Sequence, residues 1–234
     1  MEKYRQLLHR YWGYKEFRPL QEQIIDSVMH DRDTLALLPT GGGKSLTFQI
    51  PALAREGICL VVTPLIALMR DQVDKLTQLG IKAMAIHSGM SRREIDVALD
   101  NCIFGGYKFL YLSPERIETD LFKARVEKMQ VNLVTIDEAH CISQWGYDFR
   151  PSYLKIAQIR DYLTTQPPFL ALTATATPRV VEDIQEKLAF KEKNLLKTSF
   201  ERPNLVYLVR QIEDKPKYLL KTLSQNKAST PTDL

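Results

Sequence analysis

Residues 35–45 read Leu35-Ala36-Leu37-Leu38-Pro39-Thr40-Gly41-Gly42-Gly43-Lys44-Ser45. An apolar run stops at Pro39, three glycines follow, and Lys44 with Ser45 leads into an apolar-periodic segment. That order predicts a buried strand, a tight loop and the first turn of a helix. Glycines let backbone N–H groups close around phosphate oxygens, and a helix N-terminus adds a favourable field. Thr40, Gly41, Gly42 and Gly43 are therefore candidates to cradle phosphates. Lys44 would reach the β- and γ-phosphates, and the Ser45 hydroxyl would ligate Mg²⁺. The full GxxxxGK[ST] pattern is not met, because Leu38 stands at the first glycine position. Standing alone, the stretch also describes a glycine-rich turn ahead of a helix.

A second stretch supplies the acid groups such a loop needs. Val131-Asn-Leu-Val-Thr-Ile-Asp-Glu-Ala-His140 is an apolar strand that delivers Asp137 and Glu138 at its end. Asp137 is placed to hold Mg²⁺ through water, and Glu138 to orient and deprotonate the attacking water. Two adjacent carboxylates are by themselves a solvated turn; a phosphate loop upstream changes that reading. His140 is expected to touch the following motif rather than the phosphates, with ordinary core packing as its bland alternative.

Outward from these two stretches, apolar or β-branched runs alternate with helical patterns, the signature of an α/β fold with a mainly parallel central sheet covered on both faces. The expected strands are Thr34–Leu38, Ile58–Thr63, Lys82–His87, Phe109–Leu112, Val131–Ile136, Phe169–Thr173 and Leu195–Ser199. Helix signals fall at Leu20–Met29 behind Pro19, after the Ser91/Glu94 capping box, and from Arg179 to Leu188 behind Pro178. Ligands of such sheets bind beyond the carboxyl ends of the strands. Pro39–Ser45, Thr63–Pro64, Ser113–Arg116, Asp137–His140 and Thr173–Thr177 all fall there. One domain is expected over 1–204, and 205–234 would begin a linker or second lobe: a strand-like Leu205–Val209, a charged link, a helical Tyr218–Leu223 and a disordered polar tail from Gln225.

Composition narrows the class without deciding it. A net charge of +4 suits a polyanionic partner and many small-molecule enzymes alike. Cys59, Cys102 and Cys141 form no CxxC pair and have no histidine at zinc-finger spacing, so neither a disulfide framework nor zinc is expected, and a reducing cytoplasm fits. Met1 is followed by charged residues with no apolar signal core, and the longest apolar stretch, Cys59–Met69, is too short to span a bilayer. A soluble, cytoplasmic chain, bacterial in type and associated with the nucleoid through DNA, is the expectation.

At this point the chain resembles the RecQ group of superfamily 2 helicases over nearly its whole length. The box Asp137-Glu-Ala-His140 suits the superfamily generally, as does the short TGGGKS form of the phosphate loop. Cys141-Ile-Ser-Gln-Trp-Gly-Tyr-Asp-Phe-Arg-Pro151 is similar to the aromatic-rich loop that singles out RecQ proteins, and Tyr14-Lys-Glu-Phe-Arg-Pro-Leu-Gln21 to their adenine-reading motif. Thr63–Gln72, Ser113–Arg116, Leu172–Thr177 and Arg202–Asn204 match in the same order.

The resemblance implies a RecA-like P-loop NTPase lobe, a three-layer sandwich using ATP and Mg²⁺. It makes Lys44, Asp137, Glu138 and His140 the catalytic set. It implies that Gln21 reads the adenine edge while Tyr14 and Arg18 flank the base. It places single-stranded or duplex DNA on Trp145, Phe149 and Arg150 by stacking and charge, and on Arg70 and Arg116 through backbone phosphates. Tyr147 stands where relatives commonly carry histidine, which keeps a stacking surface but removes an imidazole. Thr173 and Thr175 would relay the hydrolysis state to the DNA face. Family helicases close ATP between two such lobes, and the second brings an arginine worth roughly 10³–10⁵ in rate. This chain reads Ala-Ser-Thr-Pro-Thr-Asp-Leu after Lys227, where a second lobe would open, and is expected to be a truncated form that does not unwind alone. Its parent would unwind DNA 3′ to 5′. A nucleotide-dependent single-strand clamp and an RNA-remodelling ATPase are the alternatives.

Overall fold

The computed structural model describes residues 1–198, 209 and 211–226. The chain falls into two units, Met1–Ser199 and Phe200–Leu234. The expected boundary at Asn204, the motif Arg202–Asn204, residues 205–208 of the strand-like run and residues 227–234 lie outside the described residues.

In the first unit, seven strands form one sheet: β1 Thr34–Leu37, β2 Ile58–Val62, β3 Ala83–Ile86, β4 Phe109–Leu112, β5 Val131–Ile136, β6 Phe169–Thr173 and β7 Leu195–Lys197. Their order is β3-β4-β2-β5-β6-β1-β7, and every described pairing is parallel. Three expected strands end a residue short, at Leu37, Val62 and Ile86, as the chain turns into a loop, and the third also starts a residue late, at Ala83; Ser199 lies outside the described residues. Helices α1 Glu2–Trp12 and α2 Gln21–Met29 precede β1, and the crossovers carry α3 Lys44–Ala54, α4 Ile66–Gln78, α5 Arg92–Phe104, α6 Asp120–Val126, α7 Ile159–Tyr162 and α8 Pro178–Lys187.

The strands read as continuous apolar runs because both faces are covered. Side chains alternate between faces. Leu35, Leu37, Leu60, Val62, Leu110, Leu112, Phe169 and Ala171 join one buried cluster with α5 and α8 residues such as Leu99 and Ile184. Their neighbours Ala36, Val61, Phe109, Tyr111, Leu170 and Leu172 join the opposite cluster with Ile24, Phe48 and Met69 of α2, α3 and α4. The result is a helix–sheet–helix sandwich.

Helix starts follow local chemistry. Ser91 accepts from Glu94 N, and Glu94 Oε2 accepts from Ser91 N at 2.7 Å, so the capping box forms at α5. Thr177 caps α8 ahead of Pro178. Leu20, expected to open α2, instead sits at φ +72° as the residue before it, and the helix starts at Gln21.

The two ends of the sheet differ. At the amino ends, Asp33 accepts from Phe169 N (2.8 Å) and Lys191 N (2.9 Å), and Asn194 donates to Ser27 Oγ and Asp33 O. Asp33 and Asn194 close this end through buried and part-buried hydrogen bonds. The carboxyl ends carry the loops singled out above.

In the second unit, Lys215–Asn226 forms helix α9. It takes in the expected helical Tyr218–Leu223, and also Gln225 and Asn226, which were expected in the polar tail. Among the described residues no helix is long and apolar enough to cross a membrane.

Candidate active site

Pro39 and Thr40 leave β1, and the chain turns through Gly41 (φ +77°) and Gly43 (φ +76°) into α3. Left-handed backbone at both positions is cheap only for glycine. Gly42 is closed in differently, since a Cβ there would sit 2.8 Å from Pro39 O. The loop is thus a bare backbone cradle at a helix N-terminus. Gly43 caps α3 without any side-chain cap, which leaves the first N–H groups of the helix free for an anion.

Two strands away, β5 ends in Asp137 and Glu138. Glu138 adopts φ +48°, a strained turn for a non-glycine residue, and it swings its carboxylate toward the loop. Lys44 Nζ lies 3.5 Å from Glu138 Oε1. A cavity of about 620 Å³ brings together Tyr14, Arg18, Gln21, Thr40, Gly41, Gly43, Lys44, Ser45, Asp137 and Glu138. Every nucleotide-side candidate lines it except Gly42 and His140.

Electrostatics separates the two carboxylates. Burial, only partly offset by Lys44, pushes the Asp137 carboxyl above its ordinary range. Its carboxylate receives one hydrogen bond among the described residues, from Glu138 N at 3.0 Å. A buried carboxylate with so little compensation, lining the same cavity as Ser45, fits a divalent cation in its donor chemistry. Glu138 shifts the other way, held down chiefly by the hydrogen bond with His140 and then by Lys44. Its Oε2 lies 3.3 Å from His140 Nδ1.

His140 is buried and does touch the following motif, with Nδ1 3.0 Å from Thr173 Oγ1. Thr173 Oγ1 in turn donates to Thr175 O at 3.1 Å. On its other side the imidazole stacks on Tyr147, centroids 4.5 Å apart and planes 22° apart. Tyr147 is 80% exposed and Trp145 56%. The aromatic loop therefore leans directly on a residue that holds Glu138.

The adenine-side candidates are engaged within the chain. Gln21 Oε1 accepts from Arg18 N (2.8 Å), and Nε2 donates to Gly43 O (2.9 Å). The Arg18 guanidinium donates to Gly41 O. Tyr14 is exposed and so is not a core aromatic. Gln21 and Arg18 thus tie the adenine motif to the phosphate loop, a link invisible in a linear reading.

On the candidate nucleic-acid side, Arg70 Nη2 lies 3.1 Å from His87 Nε2, and Arg116 Nη2 donates to His87 O. Burial first, and then these two guanidinium groups, lower the His87 pKa. Arg150 pairs with Asp148 at 3.0 Å and donates to Pro64 O, so its charge is matched within the loop. Phe149 is half-buried. The Arg179 guanidinium lies 3.3 Å from the Trp145 ring centroid. Sequence reading missed His87 and Arg179, whose partners are 17 to 34 residues away, and Asp148, which pairs with Arg150 two residues on. It also missed Tyr153, whose hydroxyl donates to Asp137 O at 3.0 Å.

Comparison with known proteins gives the family and the fold. The DEAD/DEAH box helicase family matches residues 18–184. The ATP-dependent DNA helicase RecQ of Bacillus subtilis is 45% identical over 222 residues, 94% of this chain and 38% of that protein. The probable ATP-dependent DNA helicase RecS of the same organism is 42% identical, over 92% of this chain and 43% of that protein. The chain thus spans about two fifths of the curated relatives it matches. Among solved structures, the Hef helicase domain of Pyrococcus furiosus superposes with a TM-score of 0.60 at 25% identity, covering 77% of this chain and 38% of that one.

Proposed function

This chain belongs to the DEAD/DEAH box helicase family, and from that premise we propose that it is the ATP-binding first motor lobe of a RecQ-type DNA helicase. The observation that carries the reading is the meeting of Lys44, Ser45, Asp137 and Glu138 in one cavity at the carboxyl ends of β1 and β5.

Each residue has a distinct task. Lys44 leaves Glu138 for the β- and γ-phosphates, and the N–H groups at the start of α3 take the remaining phosphate oxygens. Ser45 and Asp137 would hold Mg²⁺, which supplies charge neutralisation of the phosphates when bound. Glu138, ionised and freed from Lys44, accepts the proton of the attacking water. His140 keeps Glu138 oriented while Tyr147 rests against its ring. Gln21 reads adenine by exchanging the bonds it now makes to Arg18 and Gly43, so base recognition is transmitted to the phosphate loop.

Trp145 and Tyr147 offer exposed rings for stacking single-stranded bases, and Arg70 and Arg116 bind phosphodiester oxygens. Arg150 acts as a positioning residue that braces the loop through Asp148 and Pro64. Efficient turnover and 3′-to-5′ unwinding would belong to the whole protein, where a second RecA-like lobe supplies an arginine to the γ-phosphate.

A fluorescent ATP analogue titrated with Mg²⁺ tests the core of this reading. Lys44→Ala is expected to weaken binding at least about tenfold, one lost charge-assisted contact being worth roughly 1.5–3 kcal/mol. Unchanged affinity would refute the site. Competition between DNA and RNA strands of equal sequence, in the presence of the analogue, separates the DNA reading from RNA remodelling.

A further inference from the structure

We propose that His140 Nε2, Cys141 Sγ and Asp148 Oδ2 form a second cation site, suited to a thiophilic divalent ion of the zinc class, that clamps the aromatic loop to the box Asp137–His140. These three ligand atoms lie within 4.8 Å of one another. Sγ is 3.8 Å from Nε2 and 3.7 Å from Oδ2. Tetrahedral zinc with bonds of about 2.0–2.3 Å needs ligand atoms roughly 3.3–3.6 Å apart. Both sulfur distances are therefore a few tenths of an ångström from closure.

The histidine is already set for the task. Nδ1 faces the Glu138 carboxylate at 3.3 Å and Thr173 Oγ1 at 3.0 Å. An ionised carboxylate has no proton to give, so Nδ1 carries the hydrogen and Nε2 presents its lone pair to Cys141. This is the carboxylate–histidine arrangement that orients a metal-binding imidazole. His140 and Cys141 are buried, while Asp148 is half-exposed, which leaves a side open for the ion and for a water as fourth ligand.

Charge is balanced on binding. The Cys141 thiol gives its proton to solvent, and the thiolate and the Asp148 carboxylate offset the two positive charges of the ion. Arg150 shares Asp148 Oδ2 at 3.0 Å, and the carboxylate has a second oxygen with which to keep that pair. Sulfur and imidazole distinguish the site from the all-oxygen set of Ser45 and Asp137, which suits Mg²⁺. Sequence spacing concealed it, because two adjacent ligands and a third seven positions later match no zinc-finger pattern.

The test needs no nucleotide, so its outcome is separate from that of the ATP reading. The chain is titrated with Cd²⁺ in excess Mg²⁺, following the sulfur-to-cadmium charge-transfer absorption, with stoichiometry from native mass spectrometry. One ion per chain is expected. The absorption should vanish in Cys141→Ser, and in Asp148→Asn, which keeps the thiol, affinity should fall at least about tenfold. No absorption in the unaltered chain, undiminished absorption in Cys141→Ser, or unchanged affinity in Asp148→Asn would each overturn the proposal. If Cys141→Ser fails to fold by circular dichroism, Asp148→Asn decides alone.

Discussion

Gly43 sits at φ +76°, and a Cβ added there would run into Gln21 Nε2. Strain and collision act together, so Gly43→Ala is expected to cost about 1–3 kcal/mol in a urea titration. It should also displace Gln21 and weaken binding of a fluorescent ATP analogue. Asp137 offers the opposite lesson. Its carboxyl is raised by burial, so the folded chain holds this proton more tightly than the unfolded one. Folding stability therefore falls as pH climbs from the ordinary aspartate value through the raised one, and the cost is complete above it. Asp137→Asn removes the charge, and thermal melts between pH 4 and 8 should show a variant whose advantage grows with pH. An advantage that shrinks with rising pH would contradict the assigned sign. Glu138 carries the reverse contribution. Its lowered pKa stabilises the fold above the unfolded glutamate value, and that contribution is lost as pH falls through the folded one.

Among the elements, α5 owes its start to a reciprocal pair, Ser91 Oγ with Glu94 N and Glu94 Oε2 with Ser91 N. Ser91→Ala should cost about 1 kcal/mol by chemical denaturation and leave nucleotide affinity unchanged, since α5 does not line the cavity. This cap was legible in the sequence because both partners lie three residues apart. The strands were legible because burial on both faces demands unbroken apolar runs. Helix α1 was not foreseen: its only fully buried residue is Leu8, too little to mark an apolar stripe. The same division holds for the site. Residues within one motif, such as Gly41–Ser45 or Asp137–His140, announced themselves. Contacts between motifs did not: Gln21 on Gly43 and Arg70 and Arg116 on His87 join residues 17 to 29 positions apart, and Tyr147 reaches His140 only when the loop after the box folds back on it. Arg150 shows how a motif can mislead about a charge, since Asp148 two residues earlier already pairs with it.

Across the whole molecule, the sheet separates stability from chemistry. Its carboxyl ends hold left-handed turns, a buried carboxylate and exposed rings, all of which cost folding energy. Its amino ends hold Asp33, whose side chain is 1% exposed and accepts two backbone N–H groups while lying 2.9 Å from Arg160 Nη2. Asp33→Ala would leave Arg160 and the amides of Phe169 and Lys191 without their acceptor. The expected loss is about 3–5 kcal/mol, a large share of the total stability of a domain. Arg160→Met should cost less, because Asp33 keeps both amide bonds and the apolar side chain can still cover the Phe169 ring, over which the guanidinium now lies at 3.7 Å. Four residues of β1 at about 3.3 Å each hold Asp33 roughly 13 Å from the phosphate loop. Both variants, while folded, should therefore bind the ATP analogue with unchanged affinity. Urea titration ranks the two costs and analogue binding at low urea reads the site. If Arg160→Met proves as damaging as Asp33→Ala, the ion pair rather than the amide bonds holds this end of the sheet, and if either weakens nucleotide binding the two ends are mechanically coupled through β1.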